Sequence, residues 1–220
     1  MKRFRIALIH AMPVAIEPIC SSFRRLWPQA LITNLLEDAL AADLAATGEI
    51  DQRMIDRFCA LAEYSAGCGA DAILFTCSAF GPAIEAARAA VRIPVLKPNE
   101  AMIEEALATG SRIALLATFE PSLPSMQAEL EQLAAGRNET LQIRTRAVPA
   151  ALAALRAGDS AAHDAQIAAA AEELGDCDAL LLCQFSMASA AERIPSRRGR
   201  SVFTSPYSAV ARLKQLLNAA

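Results

Sequence analysis

The chain has 220 residues and a formal charge of −3, and 54% of its residues are hydrophobic. This length and composition suffice for one large domain or two smaller halves with a substantial apolar core. The small negative charge argues against a nucleic-acid partner, because the basic run Arg197-Arg198-Gly199-Arg200 is short and typical of a solvated loop.

The amino-terminal segment has the general form of a secretory signal, because basic residues precede an apolar run. His10, Pro13 and Glu17 interrupt that run, and no clear small-x-small cleavage site follows it. A buried first strand is therefore the better interpretation. No uninterrupted apolar stretch approaches the ~20 residues of a membrane span, so we expect a cytoplasmic protein without a membrane partner.

Short apolar runs alternate with longer helical patterns along the chain. This alternation is typical of α/β proteins with mainly parallel sheets and helices on both faces. The predicted strands are Arg5–Ile9, Ala30–Asn34, Ala72–Thr76, Val95–Lys97, Arg112–Ala117, Gln142–Val148, Ala179–Cys183 and Ser201–Thr204. The predicted helices include Glu49–Gly67, Gly81–Ala90, Asn99–Ala108, Ser122–Ala135 and Ala161–Leu174.

Three segments of the chain repeat in the same order. The similar pairs are RIALIHAMP at Arg5 and RIALLATFEP at Arg112, GADAILFTCSA at Gly69 and DCDALLLCQFS at Asp176, and IPVLKPNEAMIEEAL at Ile93 and SVFTSPYSAVARLKQL at Ser201. The order predicts two pseudo-symmetric α/β lobes, residues 1–98 and 99–220, with the helix at about 99–109 packing on either lobe. If the two lobes face one another, the loops after four strands surround one active-site cleft, since parallel sheets bind ligands beyond the carboxyl ends of their strands.

Cys77 is the candidate catalytic residue of the first half. It directly follows the predicted strand Ala72–Thr76 and precedes a helix with Pro82 near its first position. Free amide groups and the helix dipole stabilise anions there, so we expect the pKa of the thiol to be lowered. The same amides and the Ser78 hydroxyl could hold a substrate carboxylate. The alternative is a buried packing cysteine with Ser78 as a helix cap.

The repeat, together with strand ends of the form Asp-Ala-apolar-Cys-small, resembles the Asp/Glu/hydantoin racemase superfamily from Ile6 to about Leu217. That superfamily includes cofactor-independent amino-acid and hydantoin racemases, maleate cis–trans isomerase and arylmalonate decarboxylase. The resemblance implies a racemase or isomerase of a small carboxylate, an amino acid or hydantoin-like compound, without a cofactor and as a homodimer or larger homo-oligomer. It also implies two cysteines, one from each lobe, that exchange protons with opposite faces of the substrate carbon.

The resemblance carries the first of these cysteines onto Cys77, but the second position differs. Asp71 and Cys77 are six positions apart, whereas Asp178 and Cys183 are five apart. Without a gap, Gln184 takes the second cysteine's position, and Cys183 points away from the cleft unless a bulge re-aims it. Gln184 can donate and accept hydrogen bonds but cannot exchange a proton near neutral pH.

Two interpretations of this position remain open. Either Cys183 is re-aimed and a two-thiol racemase survives, or Cys77 and Gln184 form a site with one thiol and one amide. A one-thiol site suits a one-sided reaction, such as decarboxylation with protonation or nucleophilic cis–trans isomerisation, or a racemase with an unusual second acid. A third hypothesis is a non-catalytic protein that binds small carboxylates and has no need of a reactive thiol.

Other candidates follow the predicted strands, where the resemblance implies ligands for substrate polar groups: His10, Ser78, Thr118, Ser122 and Ser186. The alternatives are a partly buried His10 with its hydrogen bonds satisfied and local capping by Thr118 and Ser122. His163 lies in a polar helical pattern, and we expect it to be exposed. We expect no metal site, because the chain has two histidines and no C-x-x-C pair, and reduced thiols are expected throughout.

Overall fold

The computed structural model describes residues 3–135 and 140–218, and it contains all eight predicted strands. The strands are β1 Arg5–His10, β2 Leu31–Leu36, β3 Ala72–Phe75, β4 Val95–Leu96, β5 Arg112–Ala117, β6 Gln142–Ala147, β7 Ala179–Leu182 and β8 Ser201–Thr204. The helices are α1 Ile16–Leu26, α2 Ala39–Thr47, α3 Gln52–Gly67, α4 Gly81–Ala90, α5 Glu100–Leu107, α6 Leu123–Ala134, α7 Pro149–Arg156, α8 Ser160–Glu173 and α9 Ser205–Asn218. Short 3-10 segments at Pro13–Ala15, Ser78–Phe80, Glu120–Ser122 and Phe185–Arg193 follow β1, β3, β5 and β7.

The chain divides into two compact units, each with one four-stranded parallel sheet. The first unit contains the described residues up to Pro98 and those from Ala209 onward, and its strand order is β2-β1-β3-β4. The second unit runs from Asn99 to Ser208 with the order β6-β5-β7-β8. The predicted α/β class, with two similar lobes built on parallel sheets, is confirmed.

Burial explains why the central strands were visible in the sequence. In β3 and β7 every residue is buried, and in β1 and β5 only the first residue is exposed. Strands that are covered by helices on both faces appear in a sequence as continuous apolar runs. The edge strands β2 and β6 are partly exposed and carry polar residues, as in QIRTRA. Within the described ranges, no helix is both long and apolar enough to cross a membrane.

The two units share their strand pairing residue by residue. In the first, the Asp71 amide donates to the Arg5 carbonyl at 2.7 Å, and the Asp71 carboxylate accepts from the Arg5 amide at 2.8 Å. In the second, Asp178 and Arg112 form the same two bonds at 2.8 and 2.9 Å. Both pairs are 66 residues apart, which confirms the prediction that Asp71 and Asp178 are equivalent.

Candidate active site

Cys77 lies two residues beyond β3, at the end of the strand where the sequence placed it. Its backbone is extended, with φ −123 and ψ 121, and it immediately precedes the 3-10 turn Ser78–Phe80. Helix α4 begins only after that turn, at Gly81, with Pro82 in its first turn. The Cys77 side chain is partly buried and packs against the core of the first unit.

The prediction of a lowered pKa at Cys77 is wrong for this structure. Burial raises the pKa of the Cys77 thiol above its ordinary value, and a hydrogen bond with the Ala79 backbone offsets this only in part. The physical reason is desolvation, since packing against the core of the first unit destabilises the thiolate more than the hydrogen bond with the Ala79 backbone stabilises it. Cys77 therefore carries its proton at neutral pH.

Gln184 is the counterpart of Cys77 in the second unit. It too lies two residues beyond its strand and immediately before a 3-10 segment, and its backbone is extended with φ −125 and ψ 147. The preceding residues, Thr76 and Cys183, donate their amides to β1 and β5 in the same way, at 3.0 and 2.9 Å. The backbone thus agrees with the alignment of the two halves without a gap, in which Cys183 corresponds to Thr76 and Gln184 to Cys77.

The Cys183 side chain belongs to the core of the second unit. It is 1% exposed, its neighbours are apolar, and its thiol donates to the Leu181 carbonyl at 3.4 Å. Burial raises the pKa of Cys183 to about 12. A thiol in this setting is a packing group and has no accessible thiolate near neutral pH.

The Gln184 carboxamide is hydrogen-bonded to two other predicted site residues, Thr118 and Ser122. Its oxygen accepts from the Thr118 amide at 2.7 Å and from the Thr118 hydroxyl at 3.3 Å. Its nitrogen donates to the Ser122 hydroxyl at 2.7 Å, and that hydroxyl donates to the Phe119 carbonyl at 2.7 Å. Thr118 and Ser122 are 1% and 2% exposed, so these bonds satisfy buried groups.

The comparisons with known proteins identify the family of this chain. The family model of Asp/Glu/hydantoin racemases matches residues 23–213. The chain belongs to the Asp/Glu/hydantoin racemase family. A search of curated sequences finds no significant match to it.

Solved structures show the family fold over the full length of the chain. A glutamate racemase from Bacillus anthracis is 17% identical with a TM-score of 0.71, covering 100% of this chain and 83% of that one. An allantoin racemase from Pseudomonas fluorescens is 18% identical with a TM-score of 0.68, covering 98% and 92%. An arylmalonate decarboxylase is 18% identical with a TM-score of 0.65, covering 96% and 92%. At these identities the likeness establishes a shared fold.

His10 lies in a second polar network of this racemase-family chain. It is fully buried at the end of β1, with Nδ1 2.8 Å from the Thr76 hydroxyl and Nε2 3.0 Å from the Asn34 side-chain oxygen. Burial lowers the pKa of His10, and the hydrogen bond to Asn34 partly opposes this. Both ring nitrogens thus have protein partners, and a substrate-binding role for His10 stays a prediction.

Sequence reasoning missed Thr76 and Asn34 as partners of His10, because the contact forms across β1, β2 and β3. The available signal was a threonine in an otherwise apolar run, AILFTC. A buried hydroxyl at such a place needs a partner.

The remaining predicted site residues lie in the turns after β3 and β7. Ser78 follows Cys77 in its 3-10 turn, and Ser186 lies two residues beyond Gln184; both are partly buried, and their roles stay predictions. His163 was expected to be exposed, which is wrong. It is fully buried, with Nδ1 2.8 Å from Asp164, because α8 packs against the 3-10 segment Phe185–Arg193. Among the described residues, no group of three His, Cys, Asp or Glu is arranged to hold a metal ion.

Proposed function

We propose that this chain is a cofactor-independent enzyme that acts on a small carboxylate with Cys77 as its single catalytic thiol. One observation carries the proposal: the counterpart of Cys77 is Gln184, while the adjacent Cys183 packs in the core. An amide neither releases nor takes up a proton near neutral pH, so acid–base chemistry at these two positions depends on one thiol.

Decarboxylation followed by protonation is the reaction that a single protonated thiol suits best. In a substrate with two carboxylates on one carbon, the bond to one carboxylate breaks and carbon dioxide leaves. The electron pair stays on the carbon as an enediolate-like anion, which oriented N–H donors stabilise. The Cys77 thiol then donates its proton to that carbon, and the thiolate regains a proton from water. The raised pKa of Cys77 favours this role, since the thiol holds its proton until the carbanion forms.

Racemisation of an amino acid or hydantoin-like compound is the second candidate. Membership of the racemase family and the likeness to glutamate and allantoin racemases favour it. Such a racemase would use Cys77 on one face of the substrate carbon. Because residue 184 is a glutamine, the acid on the other face would come from another position. Cis–trans isomerisation by thiolate attack is less well supported, because burial disfavours the Cys77 thiolate.

The test supplies substituted malonates, amino acids and hydantoins in heavy water. We expect carbon dioxide release from a malonate and one deuterium at the product carbon. Cys77→Ala should lower turnover by about 10²–10⁴-fold, which is the usual contribution of general acid catalysis. Cys59→Ala is the matched control, because Cys59 is partly buried like Cys77 but lies on α3.

Two outcomes decide against parts of this proposal. Deuterium incorporation at the α-carbon of an amino acid or hydantoin, without carbon dioxide from any malonate, identifies a racemase. Turnover at the wild-type rate in Cys77→Ala contradicts the role of the thiol in either reaction.

A further inference from the structure

The oxygen of the Gln184 carboxamide has two hydrogen-bond donors, both from Thr118. It accepts from one backbone amide and one hydroxyl, both of Thr118, at 2.7 and 3.3 Å. A backbone amide can only donate, so the carboxamide group must present its oxygen there and its nitrogen to Ser122. The Ser122 hydroxyl donates its proton to the Phe119 carbonyl at 2.7 Å. It can therefore only accept the hydrogen bond from the Gln184 nitrogen.

The first unit lacks this arrangement at the equivalent positions. The segment after β1 has the same turn as the segment after β5: the Ala15 amide donates to the Met12 carbonyl at 3.3 Å, and the Ser122 amide donates to the Phe119 carbonyl at 3.1 Å. The counterparts of Thr118, Ser122 and Gln184 are therefore Ala11, Ala15 and Cys77. The Thr118 and Ser122 hydroxyl groups therefore occur only in the unit that has the glutamine at the position of Cys77.

We propose that the Gln184 carboxamide fills a binding position for a small carboxamide or carboxylate oxygen at Thr118, and so closes that position to such ligands. In the wild-type chain, no substrate carboxylate binds to the Thr118 amide and the Ser122 hydroxyl, because the protein's own side chain fills that place. Thr118 and Ser122 position Gln184. This inference rests on the proposed function only in treating position 184 as part of a substrate site.

Removal of the Gln184 side chain would open a binding position for a small ligand with an acceptor oxygen. Thr118 is 1% exposed, so its amide would be left buried and without an acceptor if the side chain were cut back. A small carboxamide or carboxylate offers an oxygen of the same kind. Acetamide replaces the atoms that Gln184→Ala removes, and it can both accept from Thr118 and donate to Ser122.

The experiment measures thermal unfolding of wild type and Gln184→Ala with increasing acetamide, and acetamide binding by ligand-observed NMR. We expect Gln184→Ala to have a lower Tm and to recover about 2–4 °C at saturating acetamide, whereas wild type gains nothing specific. Acetone, which accepts but does not donate, should rescue less than acetamide. In the Gln184→Ala/Ser122→Ala double variant, that difference between acetamide and acetone should disappear.

Gln132→Ala is the matched control, because Gln132 is exposed on α6 and its loss creates no buried unpaired donor. Equal acetamide effects on Gln184→Ala, Gln132→Ala and wild type would overturn the proposal. If Gln184→Ala is too unstable to purify, refolding yield with and without acetamide replaces the Tm, and no gain over wild type has the same meaning. Turnover is not used, so a failure of the Cys77 chemistry would be seen separately.

Discussion

At the scale of single residues, a shift of one position after a strand decides whether a side chain packs in the core or belongs to the candidate site. Thr76 and Cys183 occupy equivalent places, yet Thr76 is hydrogen-bonded to His10 whereas Cys183 lies among apolar side chains. Successive strand residues point to opposite faces, so the next residues, Cys77 and Gln184, point away from these partners. The register of β7 therefore separates a packing cysteine from a candidate site residue.

Cys183→Ala should lower stability and leave turnover unchanged. The substitution removes a buried group from the core, for which a cost of about 1–2 kcal/mol is expected. Urea unfolding and a turnover assay measure the two quantities, with Cys59→Ala as the control for loss of a less buried thiol. Loss of turnover with an unchanged Tm would instead make Cys183 the second acid–base thiol.

At the scale of elements, hydrogen bonds from Asp178, directly before β7, hold the start of the β5–β7 strand pair together. The Asp178 carboxylate accepts from the Arg112 amide at 2.9 Å and from Arg112 Nε at 3.0 Å. Gly110 makes room for it, since a Cβ at that position would lie 2.5 Å from an Asp178 oxygen. The hydrogen bonds from the Arg112 side chain lower the pKa of Asp178.

Asp178→Asn should lower the Tm near neutral pH by more than the control Asp176→Asn does, because the Asp176 side chain is 89% exposed. A lowered pKa in the folded state gives stability that is present above the unfolded pKa of about 3.9 and is lost as the pH falls. The Tm difference between wild type and Asp178→Asn should therefore shrink below about pH 4. Thermal unfolding from pH 3 to 7 measures it, and a pH-independent difference would contradict the role of the charge.

At the scale of the whole molecule, buried or partly buried thiols occur in both units. Burial raises the pKa of Cys20 and Cys77 in the first unit and of Cys177 and Cys183 in the second. A thiol in the unfolded chain ionises near pH 8.5, whereas the buried thiol keeps its proton to higher pH. The stability contributed by each raised pKa is therefore complete below that pH and is lost as the pH rises.

The free energy of unfolding should fall above about pH 8.5, by up to about 1.4 kcal/mol per pH unit for each thiol that stays protonated in the folded state. For Cys183 the pH range of this decline extends up to its pKa in the folded state, about 12. Urea unfolding at pH 7.5, 8.5 and 9.5 should show a smaller decline in Cys183→Ala than in wild type. Parallel curves for the two proteins would mean that Cys183 ionises equally in both states.

The sequence alone predicted the architecture because the features responsible for it are local or repeat in order. Apolar runs such as AILF and ALLL predict central strands, since both faces of these strands are covered. The ordered repeat predicted the equivalence of Asp71 and Asp178. Counting along the chain also placed Gln184 at the position of Cys77, because side-chain direction alternates with each strand residue.

Only the tertiary structure decided what surrounds these side chains. The partners of Gln184 are Thr118 and Ser122, 66 and 62 residues away in the chain, and they meet it because β5 and β7 pair. The pKa of Cys77 depends on the desolvation that packing imposes, which no local pattern contains. Periodicity determines the face on which a residue lies, whereas the groups opposite that face come from distant segments of the chain.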